Sequence, residues 1–463
     1  IRRLSVFNRK VSPTSKDRAI PSDAPTRDLP HFLELQKVNY RRALEHRQAK
    51  QWTVVMGNEA GDLDSVASAF AFAWYASTHL SQLTIPLLQT PREDLHLRAE
   101  NLYALEHAGV KPDILLTGDE MPAPTGESFA LVDHNCLAAR FIHISSPPER
   151  DISSTSGRTP SSPLGVESKV TAIIDHHEDE GAHLDADPRI VEPAGSCSSL
   201  VTRLLKAVPD ISLPQELAFL LLSAIVIDTH ALKDGGKAIA VDHDAANWLI
   251  PLAGLESIFP SAFDQSKESG AARALRELSD MLHSKKSDIE HLSPRDLLRR
   301  DYKEYTFTPS WDPSYSLHAG LATVPRGLKG WLADLRPRSS ASASASGRAH
   351  ENFWDACVAY MDLQKLDILG VLTTWRDDSR FGGRGRHRRE QAWLVRSGSS
   401  GNDLQGRLWA GLEGCDKLRL KKKDGKRYTC ELEGFASRVY EQGDASATRK
   451  VTAPLLREIV EGT

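Results

Sequence analysis

The 463-residue sequence has little cysteine, five residues in all. Cys136, Cys197, Cys357, Cys415 and Cys430 show no Cys-x-x-Cys spacing. That argues against a disulfide scaffold and a structural zinc site, and it fits a reducing compartment. Long apolar runs are also missing. The longest, residues 217–227, is interrupted by Ser223 and falls short of the ~18 apolar residues a membrane helix needs. Charge of one sign is missing too: the formal net charge is -4. This argues against a wholesale basic nucleic-acid binder and leaves room for local basic patches. The first strand-like run is followed by Gly57-Asn58-Glu59-Ala60-Gly61, which is not the Gly-x-Gly-x-x-Gly fingerprint of a dinucleotide site. What remains is a globular composition, 40% apolar and 26% charged, with length for two or three domains.

Residues 1–28 are polar and rich in Arg and Ser, with no apolar stretch of the secretory type. A disordered tail or a trimmed start is expected, with a mitochondrial presequence as the alternative. From residue 51 onward the pattern is α/β. Apolar runs at 52–56, 84–88, 113–116, 129–132 and 170–174 read as strands. Helical patterns lie at 65–80, 94–107, 198–207 and 214–227, the last with Pro214 in its first turn. Strands alternating with helices predict a doubly wound, largely parallel sheet, apolar throughout because both faces are covered. A composition shift near 252–270 reads as a boundary. Beyond it come an amphipathic helix with Leu275, Leu278 and Leu282 on one face, and candidate strands near 305–308, 317–323, 368–375 and 392–395, a smaller α+β unit. The segments 145–163, 336–348 and 377–389 read as surface insertions.

The informative feature is where the acids fall. Met56 leads into Asp62 and Asp64, Val132 into Asp133-His134-Asn135, Ile174 into Asp175-His176-His177, and Ile227 into Asp228. Ligands of an open parallel sheet bind outside the carboxyl ends of its strands, so these clusters can converge on one crevice. Converged carboxylates repel unless neutralised. Asp oxygens with imidazole nitrogen suit Mn²⁺, Mg²⁺ or Co²⁺. Two such ions sharing a carboxylate would clamp a phosphoryl centre. Each cluster also has a plainer reading; Asp64 or Ser65 could simply cap the following helix.

The order and wording of these motifs resemble the DHH phosphoesterase superfamily, named for Asp-His-His as seen at 175–177. GNEAGDLDS, VDHN, DHHEDE, EPAGSCSSL and VIDTHALK are similar to its exopolyphosphatase branch, which includes the prune proteins. Residues 301–305 and 448–454 are similar to the two basic motifs of the DHHA2 domain that follows DHH there. The pattern resembles that of fungal exopolyphosphatases. The resemblance implies a tail over 1–28, a DHH catalytic domain over 29–262 and a DHHA2 domain over 263–463, with the active site in the cleft between them. It implies two divalent cations, Mn²⁺ or Mg²⁺ with Co²⁺ as the alternative. Asp62 and Asp133 would hold one; Asp64, Asp133, His176 and Asp228 the other. Asp133 and His177 would be catalytic together with Arg449 and Lys450. His177, Lys303, Arg449 and Lys450 would bind substrate, and Asp175 would orient the adjacent imidazoles. Asn58 stands where family II pyrophosphatases carry a metal-binding His, so it would be a weaker ligand, as in the exopolyphosphatase branch.

The expected activity is removal of the terminal phosphate of inorganic polyphosphate. The alternatives are a prune-like phosphatase for short chains or nucleotide tetraphosphates, a pyrophosphatase, and a scaffold without catalysis. A cytoplasmic monomer with no nucleic-acid or membrane partner is expected. Lys421-Lys422-Lys423 with Lys426 and Arg427 reads as a hairpin turning at Asp424-Gly425, and the arginines at 384–389 as a surface loop.

Overall fold

The computed structural model describes residues 28–122, 126–142, 168–264, 269–333, 353–377, 385–398 and 404–462. The expected tail, the insertions at 145–163 and 336–348 and most of the Gly/Arg segment lie outside them.

The first part of the chain runs α1 (Leu29–Glu45), β1 (Thr53–Met56), α2 (Leu63–His79), β2 (Thr84–Leu88), α3 (Ala99–His107), β3 (Leu116–Thr117), β4 (Ser128–Val132), β5 (Lys169–Asp175), β6 (Arg189–Val191), α4 (Cys197–Lys206), α5 (Gln215–Thr229), α6 (Ala240–Leu249), α7 (Leu255–Ile258), α8 (Pro260–Phe263) and α9 (Gly270–Ser287). Its six strands form one sheet in the order β3-β2-β1-β4-β5-β6, all neighbours parallel. The order reverses between β1 and β4. That switch point is where doubly wound sheets bind ligands. Strand residues alternate between two cores: Val55, Ala130 and Val132 face α2, α4 and α5, whereas Val54, Met56, Phe129 and Leu131 face the Tyr40 end of α1. Helix α5 is buried on every side. A fully buried leucine such as Leu220 contributes roughly 1.5–3 kcal/mol, so α5 forms a rigid pillar beneath Asp228.

The second part runs α10 (Pro294–Arg300), β7 (Tyr302–Phe307), β8 (Leu317–Val324), α11 (Leu328–Ala333), α12 (Phe353–Gln364), β9 (Ile368–Asp377), β10 (Arg386–Arg396), α13 (Leu404–Glu413), β11 (Leu420–Lys422), β12 (Phe435–Gln442) and α14 (Arg449–Glu461). Its mixed sheet has the order β11-β12-β10-β9-β8-β7. Helix α9 adds Leu275, Leu278 and Leu282 to the first core, whereas Ile289 and Leu292 belong to the second, which Leu97 of the first part also joins. The composition shift near 252–270 therefore precedes the change of core.

Several local expectations are corrected. Residues 113–116 are not a strand but a 3₁₀ turn leading into the two-residue β3. The Lys37 ammonium donates to the carbonyls of Asp113 and Leu115 at 2.9 and 2.6 Å, so those groups are withdrawn from strand pairing. The helix at 94–107 is broken at Arg98, with a 3₁₀ turn before it. Arg300 donates to the carbonyl of Leu97 at 2.7 Å, a bond that competes with helix continuation. Helix α1 was not expected, although Asp28 caps it and Leu29, Phe32, Leu33, Gln36, Lys37, Tyr40 and Ala43 are buried at helical spacing. Strand β6 and helix α6 were also unanticipated. No two-residue hairpin forms at Asp424-Gly425; β11 pairs antiparallel with β12 beyond a longer connection. Arg386 to Arg389 belong to β10, paired with β9, rather than to a loop.

Candidate metal centre

Each acid sits where an element ends. After β1 the chain turns through Gly57, whose hydrogen faces Ser65 so closely that a Cβ would lie 2.4 Å from the serine Cβ. Asp62 then caps α2, accepting from the Ser65 amide at 3.1 Å. Asp64 follows in the first turn and is buried. Its Oδ1 accepts from the hydroxyls of Ser196 and Ser198, both at 2.7 Å, and from the Ser198 amide at 2.8 Å. Its Oδ2 accepts from the Cys197 amide at 2.6 Å and lies 3.9 Å from His176 Nε2. The N-terminus of α4 thus fixes Asp64 with one oxygen edge toward the imidazole.

Asp133 is at the centre. Its amide extends the parallel ladder to the carbonyl of Ile174 at 2.9 Å. Its φ of 61° is in the left-handed region, which Asp tolerates better than most residues. Its Oδ2 accepts from Ser65 Oγ at 2.6 Å and Asn58 Nδ2 at 2.7 Å. Its Oδ1 faces His176 Nε2 at 3.3 Å. Asn58 Oδ1 accepts from the Ala60 amide at 2.9 Å. Asn58 therefore turns its donor, not its oxygen, toward Asp133.

The two histidines are held differently. His176 Nδ1 donates to the carbonyl of Ala194 at 3.0 Å, which frees Nε2 for Asp133 and Asp64. His177 Nδ1 donates to Asp175 Oδ1 at 2.8 Å. This bond takes up the nitrogen lying 3.6 Å from Asp133 Oδ1 and leaves Nε2 as the open edge. Asp175 Oδ1 also accepts the amides of His176 and His177, and its Oδ2 accepts from Asn135 at 2.6 Å. Asp175 has no oxygen left unengaged. The roles of Ser65, Ser196, Ser198 and Asn135 were missed from sequence. Serines at 196, 198 and 199 ahead of an apolar helix were the available signal.

The electrostatics mark a cation site. Burial, with Asp64 and Asp62 nearby, raises the Asp133 carboxyl well above its usual range. Burial and the same two acids push Asp228 up to about 8. Although burial opposes it, the hydrogen bond His176 donates to Asp133 and the charges of Asp64 and Asp133 push His176 up to about 10. Burial is the largest cause for the two carboxyls, and the negative charge of neighbouring acids adds to all three shifts. Asp133, His176 and His177 also bring possible ligand atoms within 4.8 Å of one another. Carboxylate oxygens with one free imidazole nitrogen fit a divalent cation.

This has a consequence for pH. A carboxyl with its folded pKa raised, as for Asp228, adds stability below its unfolded pKa and loses it as pH rises through about 8. Metal-free protein should lose melting temperature across that window. A divalent cation competes with these protons, so Mn²⁺ should raise the melting temperature more at pH 8.5 than at pH 6. An equal gain at both values would contradict the assignment of Asp228 to the site.

The second sheet faces this centre. Burial, together with the charges of Lys303 of β7 and His177, pushes His134 in the loop after β4 down to about 4. Arg449, in the first turn of α14, pairs with Asp301 Oδ1 at 2.9 Å and donates to the Asp301 carbonyl at 3.1 Å. Lys450 is exposed beside it. A cleft of about 670 Å³ separates the Glu59–Ala60 turn from Tyr302, Glu304 and Tyr360. Arg300, which also lines it, pairs with the buried Glu100 at 3.2 Å.

Residues 52–225 match the DHH family, N-terminal domain, and residues 280–459 the DHHA2 domain. A Schizosaccharomyces pombe protein named "Putative exopolyphosphatase" is 30% identical over 454 residues, 94% of this chain and 98% of the relative. The chain belongs to the DHH family. Within the family, mouse exopolyphosphatase PRUNE1 is 27% identical over 315 residues, 66% of this chain, and the match spans only 58% of the mouse protein. A Streptococcus equi protein named "Probable manganese-dependent inorganic pyrophosphatase" is 30% identical over 206 residues, 44% of this chain and 56% of the relative. Among the described residues of this DHH chain, no helix is long and apolar enough to cross a membrane.

Proposed function

We propose that the protein is an exopolyphosphatase, releasing the terminal phosphate of inorganic polyphosphate as orthophosphate. The observation that supports this reading is the meeting of Asp64, Asp133 and His176 at the sheet's switch point. The names of the fission-yeast and PRUNE1 relatives accord with it. Asp62 and Asp133 are assigned to one divalent cation, and Asp64, Asp133, His176 and Asp228 to a second, with Asp133 shared. Mn²⁺ or Mg²⁺ is expected, with Co²⁺ as the alternative. Such cations, when bound, neutralise the carboxylates and the phosphate oxygens and acidify the attacking water.

The protein's own groups do the rest. His177, its Nδ1 tied to Asp175, presents Nε2 to the terminal phosphate. Lys303 from β7 and Arg449 and Lys450 from α14 bind phosphate oxygens, Arg as a planar fork and Lys as a point charge. The water oxygen forms the new P–O bond in line. The bridging P–O bond breaks, and the chain shorter by one unit leaves with the electron pair. The scattered spacing of the five cysteines accords with a cytoplasmic placement.

The test is kcat/KM on polyphosphates of defined length, on pyrophosphate and on adenosine tetraphosphate, each with Mn²⁺ or Mg²⁺. Long chains should be preferred; a preference for pyrophosphate or the nucleotide would replace this reading. Asn58→His bears on the same choice. An imidazole there would replace the donor to Asp133 by a metal ligand. The variant should tighten metal binding and raise the pyrophosphate-to-polyphosphate activity ratio. If neither moves, Asn58 acts only through its hydrogen bonds to Asp133 and Ala60.

A further inference from the structure

The peptide group between Ala194 and Gly195 is bonded on both sides. Its carbonyl accepts from His176 Nδ1 at 3.0 Å. Its N–H donates to the carboxylate of Asp242, 2.9 Å from Oδ2 and 3.1 Å from Oδ1. A trans peptide is planar, with its C=O and N–H pointing opposite ways, so a carboxylate that holds the N–H also aims the carbonyl. Asp242 lies in the first turn of α6 and is fully buried. Its Oδ2 accepts the Ile239 amide at 2.8 Å, which caps α6. Its other donors all belong to the segment leading into α4: the Gly195 amide, the Ser196 amide at 3.3 Å and the Ser199 hydroxyl at 2.6 Å. That same segment holds Asp64 through Ser196 Oγ, the Cys197 amide and Ser198.

Residues 195–199 are thus bonded to two buried carboxylates, one in the metal centre and one outside it. The fit at their start is close: a Cβ on Gly195 would lie 2.8 Å from Asp242 Oδ2 and 2.7 Å from Cγ2 of Thr229, the neighbour of Asp228. Capping α6 needs a single acceptor and no buried charge. A buried carboxylate is costly unless its oxygens are engaged, and most of the donors that engage this one sit in the segment that holds Asp64 and His176. We propose that Asp242 is a positioning residue of the metal centre, aiming His176 through the Ala194–Gly195 peptide and setting the segment that fixes Asp64. This rests on the assignment of Asp64 and His176 to a divalent cation. Outer partners of this kind orient a metal-binding imidazole, and their loss typically costs about ten- to a hundredfold in metal affinity.

The experiment compares wild type, Asp242→Ala, Asp242→Asn and Ala246→Gly in three measurements. These are Mn²⁺ titration of the metal-free protein, the Nδ1–H proton signals of isotopically labelled histidine in the same metal-free protein, and thermal melting. Asp242→Ala should raise the Mn²⁺ Kd by roughly tenfold or more. The His176 Nδ1–H signal should shift or be lost to exchange, whereas that of His177, held by Asp175, should stay. Asp242→Asn keeps one oxygen for the Gly195 amide and should lose less. Ala246→Gly loosens α6 with the carboxylate intact; it should lower the melting temperature and leave Kd and both signals nearly unchanged. Wild-type Kd and an unmoved His176 signal in folded Asp242→Ala would overturn the proposal. If that variant does not fold, the same result in Asp242→Asn overturns it. So would an equal rise in Kd in Ala246→Gly, or loss of the His177 signal along with that of His176, since either means general loosening. Wild-type protein that binds Mn²⁺ but releases no phosphate from polyphosphate would defeat the functional reading alone, and the titration and the His176 signal would still decide the role of Asp242.

Discussion

Asp133→Asn is expected to lower phosphate release by about three orders of magnitude or more while leaving the fold intact. Both assigned cations lose a shared oxygen, a loss on the scale of removing a principal electrostatic stabiliser. Asn is the informative substitution because Asp133 has a φ of 61°, a conformation Asn also tolerates. Asp133→Ala would add a backbone penalty of roughly 1–2 kcal/mol and mix a folding defect into the kinetics. The check is kcat with a melting curve and a metal titration on the same preparation. A folded Asp133→Asn protein with near-normal kcat would remove the basis for a shared carboxylate.

Arg449→Ala should cost kcat and kcat/KM together, by about a hundredfold, the value of a charge-assisted contact made as charge develops on the phosphoryl group. Its guanidinium is held by Asp301 through both the carboxylate and the carbonyl, so it is already oriented before substrate arrives. Lys450 is exposed at the next position, and Lys450→Ala should weigh more on KM. Metal affinity of the free enzyme should stay nearly unchanged in both, since neither is a ligand. Unchanged kcat in Arg449→Ala would mean that α14 does not complete the site.

Much of the first sheet was legible because β1, β2, β4 and β5 are predominantly apolar runs, and because three acidic clusters directly follow such runs. What could not be read depends on contacts distant in sequence. Nothing near residue 113 shows that Lys37 of α1 takes its carbonyl. Nothing in 94–107 shows that Arg300 breaks the helix at Arg98. Asp-Gly at 424–425 is a strong local hairpin signal, but β11 finds its partner in β12 instead. In the site, Asp and His stood out because they are rare after buried strands. Ser65, Ser196 and Ser198 did not, because serine is common at any helix start. The orientation of Asn58, donor toward Asp133, follows from the Ala60 amide claiming its oxygen and has no signature in the sequence.

The central claim is that this acidic centre removes phosphate from a chain end with the help of divalent cations. The most direct test is to strip the wild-type protein with chelator, restore Mn²⁺, and follow a polyphosphate of single length by product size. The account predicts no release before Mn²⁺ is restored, then orthophosphate together with chains shortened from the end. Release that persists without divalent cations, or mid-length fragments appearing first, would contradict it.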